Sequence, residues 1–303
     1  MSLLDACYHK DIESVKEELD KGVDINKGDN NGNTALIMAS RDGPIGCLLK
    51  KEQIVSLLLE KGADINARNN NGDTALMFAI NVFAINEVPT ETVSLLLEKG
   101  ADVNARDYDG GTALMMACDC SDFTETVSLL LDKGADVNAK DNDGWTALIR
   151  ASGLERTETV ALLLEKGADV NARDYDGYTA LIKASFWGRI DTVKLLLDKG
   201  ADVNAKTNYG CTALITAIES AISCALGGRE DEFTEIASTL LEKGADINAR
   251  DNFGYTALFE ASSSGSINIV KLLLEKGADV NMKTDNGETA LTCLLYTSDA
   301  ADE

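Results

Sequence analysis

Between Asp174 and Lys206 the chain reads DYDGYTALIKASFWGRIDTVKLLLDKGADVNAK, and its apolar positions form two short helical stripes. Ala180, Leu181, Ala184 and Ser185 are small or apolar at helical spacing, which predicts a short helix that can pack closely. Val193, Leu196 and Leu197 follow at i, i+3 and i+4 and predict a second helix from about Ile190. The polar punctuation agrees. Asp174-Tyr175-Asp176-Gly177 reads as a turn, closed by aspartate side chains on their own backbone, with Gly177 free to take positive φ. Thr179 suits the start of the first helix, where its hydroxyl satisfies an orphan amide. Gly188 ends that helix, Lys199 falls in the last turn of the second, and Gly200 is expected as its left-handed cap.

The pattern recurs. Thr-Ala-Leu begins at Thr34, Thr74, Thr112, Thr146, Thr179, Thr212, Thr256 and Thr289. The steps are 40, 38, 34, 33, 33, 44 and 33 residues, so the base period is 33. A glycine stands two residues before each threonine, and LLLEKGAD[VI]NA or a close variant lies between them. One helix pair of this size cannot cover both of its apolar faces. Stacked neighbours cover them, which predicts an elongated repeat architecture.

These residues resemble the ankyrin repeat, whose pattern DxxGxTPLHxAAxxGxxxxVxLLLxxGADVNA is matched eight times over between about residues 2 and 292. The resemblance implies an all-α solenoid, elongated and curved, of helix-turn-helix units joined by β-hairpin-like loops. It also implies an interaction scaffold without catalysis. The chain departs from the family's TPLH: the proline is alanine, and the histidine is Ile37, Met77, Met115, Ile149, Ile182, Ile215, Phe259 or Thr292. Alanine is a good helix former, and a buried apolar residue needs no hydrogen-bond partner. A shifted contact between repeats is expected, with the fold kept.

A single repeat domain over 1–292 follows, whose first repeat is an incomplete cap at 1–28, with the second to eighth repeats at 29–68, 69–106, 107–140, 141–173, 174–206, 207–250 and 251–283 and a fragment at 284–292. Extra residues in the second, third, fourth and seventh repeats lie between the first helix and the second. Two readings stand for them: a lengthened first helix packing on its neighbours, or a knob for a partner. Ile222 to Leu226 is the better functional candidate. Residues 293–303 (CLLYTSDAADE) break the pattern and are expected to be a non-native or disordered tail.

Composition narrows the chemistry. A net charge of −23 leaves little material for a nucleic-acid-binding face or for adsorption to anionic membranes. No run of about 18 apolar residues predicts a membrane-spanning helix, and MSLLDACYHKDIES meets acidic residues too soon for a secretory signal. The seven cysteines are scattered without CxxC pairs and suit a reducing, cytoplasmic setting. Cys118 and Cys120 have the wrong spacing for zinc. The one histidine, His9, lies in a stretch (HKDIESVKE) that reads as a solvated loop and helix start. No phosphate-binding glycine motif is present. The DxDG turns lack the bidentate glutamate of a calcium loop, since Ser152 and Ser185 stand at its position. Neither enzyme chemistry nor a metal nor a cofactor is expected.

Positions constant in every repeat serve the scaffold; those that vary are open to selection by a partner. Seven of sixteen aromatics stand at the turn tips: Tyr108, Trp145, Tyr175, Tyr178, Tyr209, Phe253 and Tyr255. Exposed Tyr and Trp are enriched among interface hot spots, so these rings form a candidate binding strip, with covering of the adjacent stem as the alternative for any one ring. By the resemblance, Arg150 and Lys183 face the concave groove, flanked by Phe186 and Trp187. An acidic peptide segment suits that spot, and charge balance on a solvated face is the competing reading. The expected function is binding of another protein by a monomer along the tips and groove of repeats four to eight. The alternative is the targeting arm of a larger enzyme or membrane protein. The resemblance further makes Asn104, Asn138, Asn171 and Asn204 candidates for hydroxylation.

Overall fold

The computed structural model describes residues 1–41, 48–80, 90–120, 123–223 and 229–292. The described residues hold sixteen helices and no extended strand, only isolated antiparallel bridges at Arg106–Thr112, Lys206–Thr212 and Arg250–Thr256. The chain divides into two compact units, Met1–Asn142 and Asp143–Glu303. In the first unit lie α1 (Leu3–Tyr8), α2 (Ile12–Asp20), α3 (Ala35–Ser40), α4 (Leu48–Glu60), α5 (Ala75–Ile80), α6 (Thr90–Glu98), α7 (Ala113–Asp119) and α8 (Thr124–Asp132). In the second lie α9 (Ala147–Ser152), α10 (Thr157–Glu165), α11 (Ala180–Phe186), α12 (Ile190–Asp198), α13 (Ala213–Ser223), α14 (Glu230–Glu242), α15 (Ala257–Ser263) and α16 (Ile267–Glu275).

Each unit is an all-α stack of helix pairs in two layers. In the second, first helices pack in the order α9, α11, α13, α15, and second helices in the order α10, α12, α14, α16. The first unit repeats this with α1, α3, α5, α7 against α2, α4, α6, α8. The core follows from the small and branched residues of Thr-Ala-Leu and its successors: Ala147, Leu148, Ile149 and Ala151 are buried, as are Val160 and Leu163 of the paired helix. The residues standing where the family has histidine, from Ile37 to Phe259, are buried too and bring no polar atom needing a partner.

The caps form where the sequence places them. The Thr179 hydroxyl accepts from the Ile182 amide at 3.3 Å, and Thr34, Thr74, Thr112, Thr146, Thr212 and Thr256 do the same three residues on. Replacing Thr146 by Val keeps the shape but strands the buried Ile149 amide. This should cost about 1 kcal/mol in urea unfolding; an unchanged midpoint would remove the cap from the account. Gly188 (φ +72°) follows the end of α11 and Gly200 (φ +87°) the end of α12, as expected. Lys199 is itself the cap residue of α12, not a member of its last turn.

Asparagines join repeat to repeat beyond the second helices. Asn104 accepts from the Asp136 amide at 2.8 Å and donates to the Gly134 carbonyl at 3.0 Å. Asn171 bridges in the same way to Asp202 and Gly200, and Asn204 to Asp246 and Gly244. The candidates for hydroxylation among them are thus structural rungs.

The seventh repeat's surplus goes partly into helix. α13 has 11 residues and α14 has 13, against 7 and 9 in α11 and α12. That agrees with lengthening at the far end from the tips. Residues 42–47, 81–89 and 224–228 of the insertions, the latter including most of the Ile222–Leu226 candidate, and the tail at 293–303 lie outside the described residues.

A second residue also departs from the sequence reading. Lys10, expected in a solvated loop, is 1% exposed and has φ +56°. Its Nζ donates to the carbonyls of Cys7 (3.2 Å), Met38 (3.1 Å) and Ala39 (2.8 Å). The amine thus ties the ends of α1 and α3 together. His9 beside it is exposed and stacks edge-on against Tyr8.

Candidate functional site

The tips are built as a hydrogen-bonded rail. Within one tip, Asp174 Oδ1 accepts from the amides of Asp176 (3.0 Å) and Tyr178 (2.7 Å). Between tips of the second unit, backbone amides of Tyr175, Asn208, Asn252 and Asp285 donate to the carbonyls of Asp143, Asp176, Tyr209 and Phe253. Each tip is thus fixed by its own side chains and by its neighbour.

On this rail the aromatic residues divide into two groups. Tyr175, Tyr209 and Phe253 stand out, 66%, 54% and 61% exposed. Trp145, Tyr178 and Tyr255 are half-buried. Lys183 Nζ lies 4.3 Å from the Trp145 ring centroid and 4.0 Å from that of Tyr178, between two cation–π faces. Burial holds the Lys183 amine below its usual pKa, opposed by Asp174 and then Asp176. Burial likewise pushes Asp174 up, opposed by the Tyr178 amide and Lys183. The Lys183 charge is therefore engaged within the chain. Tyr255 stacks on the buried Phe259 at 4.9 Å and 11°, with Phe253 6.1 Å away.

At the far end of α11, Phe186 and Trp187 meet edge to face at 5.1 Å and both stay exposed. Trp187 lies over Gly153, where an added Cβ would come within 3.1 Å of the indole. Arg150 is half-buried on α9. Tyr108 belongs to the first unit; it is 64% exposed, with the Arg68 guanidinium 5.6 Å above its ring.

The next two repeats carry an acidic end that comparison of the tips does not disclose. On α13 and α15, Glu219 and Glu260 are half-buried, with Asp251 and Cys211 at the tips before them. Burial, then Glu260, then Asp251 push Glu219 up to about 7. Burial and then Asp251 raise Glu260. Burial also pushes the Cys211 thiol up to about 11, with Glu219 the largest of the charges acting on it. Such a thiol is a poor nucleophile at neutral pH.

A separate polar cavity of about 620 Å³ opens at the starts of α10, α12 and α14, lined by Glu155, Glu158, Arg189, Asp191, Arg229 and Glu232 among others. Its arginines are paired: Arg189 with Glu155, and Arg229 with Glu232 at 2.7 Å. Among the described residues no cluster of His, Cys, Asp or Glu could hold a metal ion, and no helix is long and apolar enough to cross a membrane.

A search of curated proteins finds no match to the chain. The family model for ankyrin repeats (3 copies) matches residues 3–107, 82–174, 171–251 and 224–300. With the two-layer stacks, the threonine caps and the bridged tips, this places the chain in the ankyrin repeat family.

Proposed function

We propose that the chain is a non-catalytic scaffold that binds another protein along the tips and first-helix face of its second compact unit. Ankyrin repeats generally mediate protein–protein interaction and are typically not catalysts. The observation that carries the reading is the row Tyr175, Tyr209 and Phe253, exposed on tips whose backbone is bonded from repeat to repeat. Large aromatic surface held by a rigid frame loses little conformational freedom on binding. Phe186 and Trp187 supply a second apolar contact at the other end of α11. The buried thiol of Cys7, which forms no disulfide, suits a reducing, cytoplasmic setting.

The test is a pull-down with the full chain as bait. Tyr175→Ala/Trp187→Ala/Tyr209→Ala/Phe253→Ala should reduce partner recovery by more than about tenfold. The melting temperature should change little, because Tyr175, Tyr209 and Phe253 are mostly in water and Trp187 is about half in water. Equal recovery with the quadruple variant would refute the docking face.

A further inference from the structure

Two tips of the first compact unit and the last described tip of the second share a dipeptide: Asn31-Gly32, Asn71-Gly72 and Asn286-Gly287. Chemically the three are alike. The backbone nitrogen after an asparagine is one ring closure away from its side-chain carbonyl carbon, and a glycine there has no Cβ to hinder the approach. The folded tips treat them differently.

In each tip the glycine amide donates back to the carbonyl of the tip's first residue: Gly32 to Asp29 at 2.9 Å, Gly72 to Asn69 at 3.0 Å and Gly287 to Thr284 at 2.9 Å. Ring closure needs that nitrogen turned towards the asparagine side chain. The peptide unit is planar, so the asparagine carbonyl must turn with it. At Asn31 the carbonyl is held by the Asn70 amide, and at Asn71 by the Tyr108 amide, both at 2.9 Å. The amides of Asn31 and Asn71 are fixed as well, by Asp29 Oδ1 at 2.8 Å and Asn69 Oδ1 at 2.9 Å. The following tip lies directly on both glycines, since a Cβ on either would stand 2.9 Å from its backbone nitrogen.

Asn286 is held by far less. Among the described residues nothing accepts from its amide and nothing donates to its carbonyl. Nothing lies within 4 Å of a Cβ built on Gly287, and both residues are exposed. Part of the cause is in the sequence. Thr284 stands where the other two tips have Asp29 and Asn69, and its hydroxyl accepts from the Glu288 amide at 3.2 Å instead of that of Asn286. The bond from Gly287 to Thr284 is what keeps this peptide in place.

We propose that Asn286 is a site of spontaneous deamidation in the folded chain, and that contacts between tips protect Asn31 and Asn71 from the same reaction. The Gly287 nitrogen attacks Cγ of Asn286 and gives up its proton as the N–C bond forms, and the side-chain nitrogen leaves as ammonia. Water then opens the cyclic imide. Cleavage of the bond to Cγ gives aspartate; cleavage of the bond to the backbone carbonyl carbon gives isoaspartate, with Cβ drawn into the main chain. Either product adds a negative charge next to Asp285. The Asp285 amide holds the Phe253 carbonyl at 3.2 Å and its carboxylate pairs with Arg250 at 2.8 Å. The change therefore falls on the tip that steadies the last exposed ring of the row.

The test incubates the full chain for weeks at neutral pH, in buffer and in concentrated urea. Samples are digested under mildly acidic conditions, which halt the cyclisation, and amide-to-acid conversion at each asparagine is read by fragment mass spectrometry. In buffer Asn286 should convert at least about fivefold faster than Asn31 and Asn71, the scale of one backbone hydrogen bond lost on turning the peptide. In urea the three rates should converge. Equal rates in buffer, or no conversion at Asn286, would overturn the proposal. A gap that persists in urea would overturn it too, because the neighbouring sequence and not the tips would then set the rates. The Asn286 product should also separate into two peptides of equal mass, only one of them cut at residue 286 by an aspartate-specific protease; a single product would exclude the imide route.

Discussion

Gly210→Ala should destabilise the second compact unit by about 3 kcal/mol, whereas Gly200→Ala should cost about 1 kcal/mol. Both glycines have left-handed backbone, with φ +83° and +87°. An alanine at either pays the same steric penalty between Cβ and the following carbonyl. They differ in what a methyl group meets. At Gly200 nothing lies within 4 Å. At Gly210 the added Cβ would stand 2.6 Å from the Asn252 side-chain oxygen and 2.7 Å from the Asn252 amide nitrogen. That amide makes the backbone bond to Tyr209, and the Asn252 side chain donates to the Asn208 carbonyl. Room can be made only by opening the contact between two tips. Urea unfolding of the two variants measures the difference, and equal losses would show that the tips yield without cost.

Lys10→Met should loosen the first repeat by about 3 kcal/mol and leave the remaining repeats near their normal stability. Methionine keeps the length and apolar stem of lysine but removes the charged donor from three carbonyls in a dry setting. Two of those carbonyls, of Met38 and Ala39, belong to α3, so the substitution cuts a tie between neighbouring repeats. In a stack where each repeat touches only its neighbours, the loss stays at the end where it is made. Amide exchange should therefore quicken in α1 and α2 and hold steady in α9 to α16. Lys16→Met gives the comparison: its ion pair with Glu13 at 3.0 Å is largely in water, and exposed pairs of this kind are worth under about 1 kcal/mol. Unchanged protection of α1 in Lys10→Met would mean that the buried amine does not hold the repeat.

What the sequence discloses is whatever one repeat settles for itself. Thr179 capping Ile182, Gly188 and Gly200 in left-handed backbone and the bounds of α12 depend on residues a few positions apart, so the 33-residue period displays them directly. Lys10 is hidden because its acceptors on α3 lie 28 and 29 residues away; nothing in HKDIESVKE distinguishes it from the exposed Lys16. The rings of Trp145 and Tyr178 look alike with that of Tyr175 when tips are compared by position. Only the stacking of α11 on α9 brings Lys183 between the first two and leaves the third in water. Glu219 and Glu260 occupy different positions in their repeats, seven and four residues after the threonine. No comparison of like positions pairs them, and the signal that would have done so is the packing of α13 against α15.

The asparagine rungs bear on how such a chain changes over generations. Asn171 and Asn204 present the same oxygen and amide group, and Asp202 and Asp246 offer the same backbone donor. If residues 174–206 were excised, Asn171 would find at Asp246 the fitting it had lost at Asp202. The join is generic while the faces on either side of it are individual. Gain or loss of whole modules by recombination is therefore mechanically silent, and the number of copies can drift without a compensating mutation at the seam.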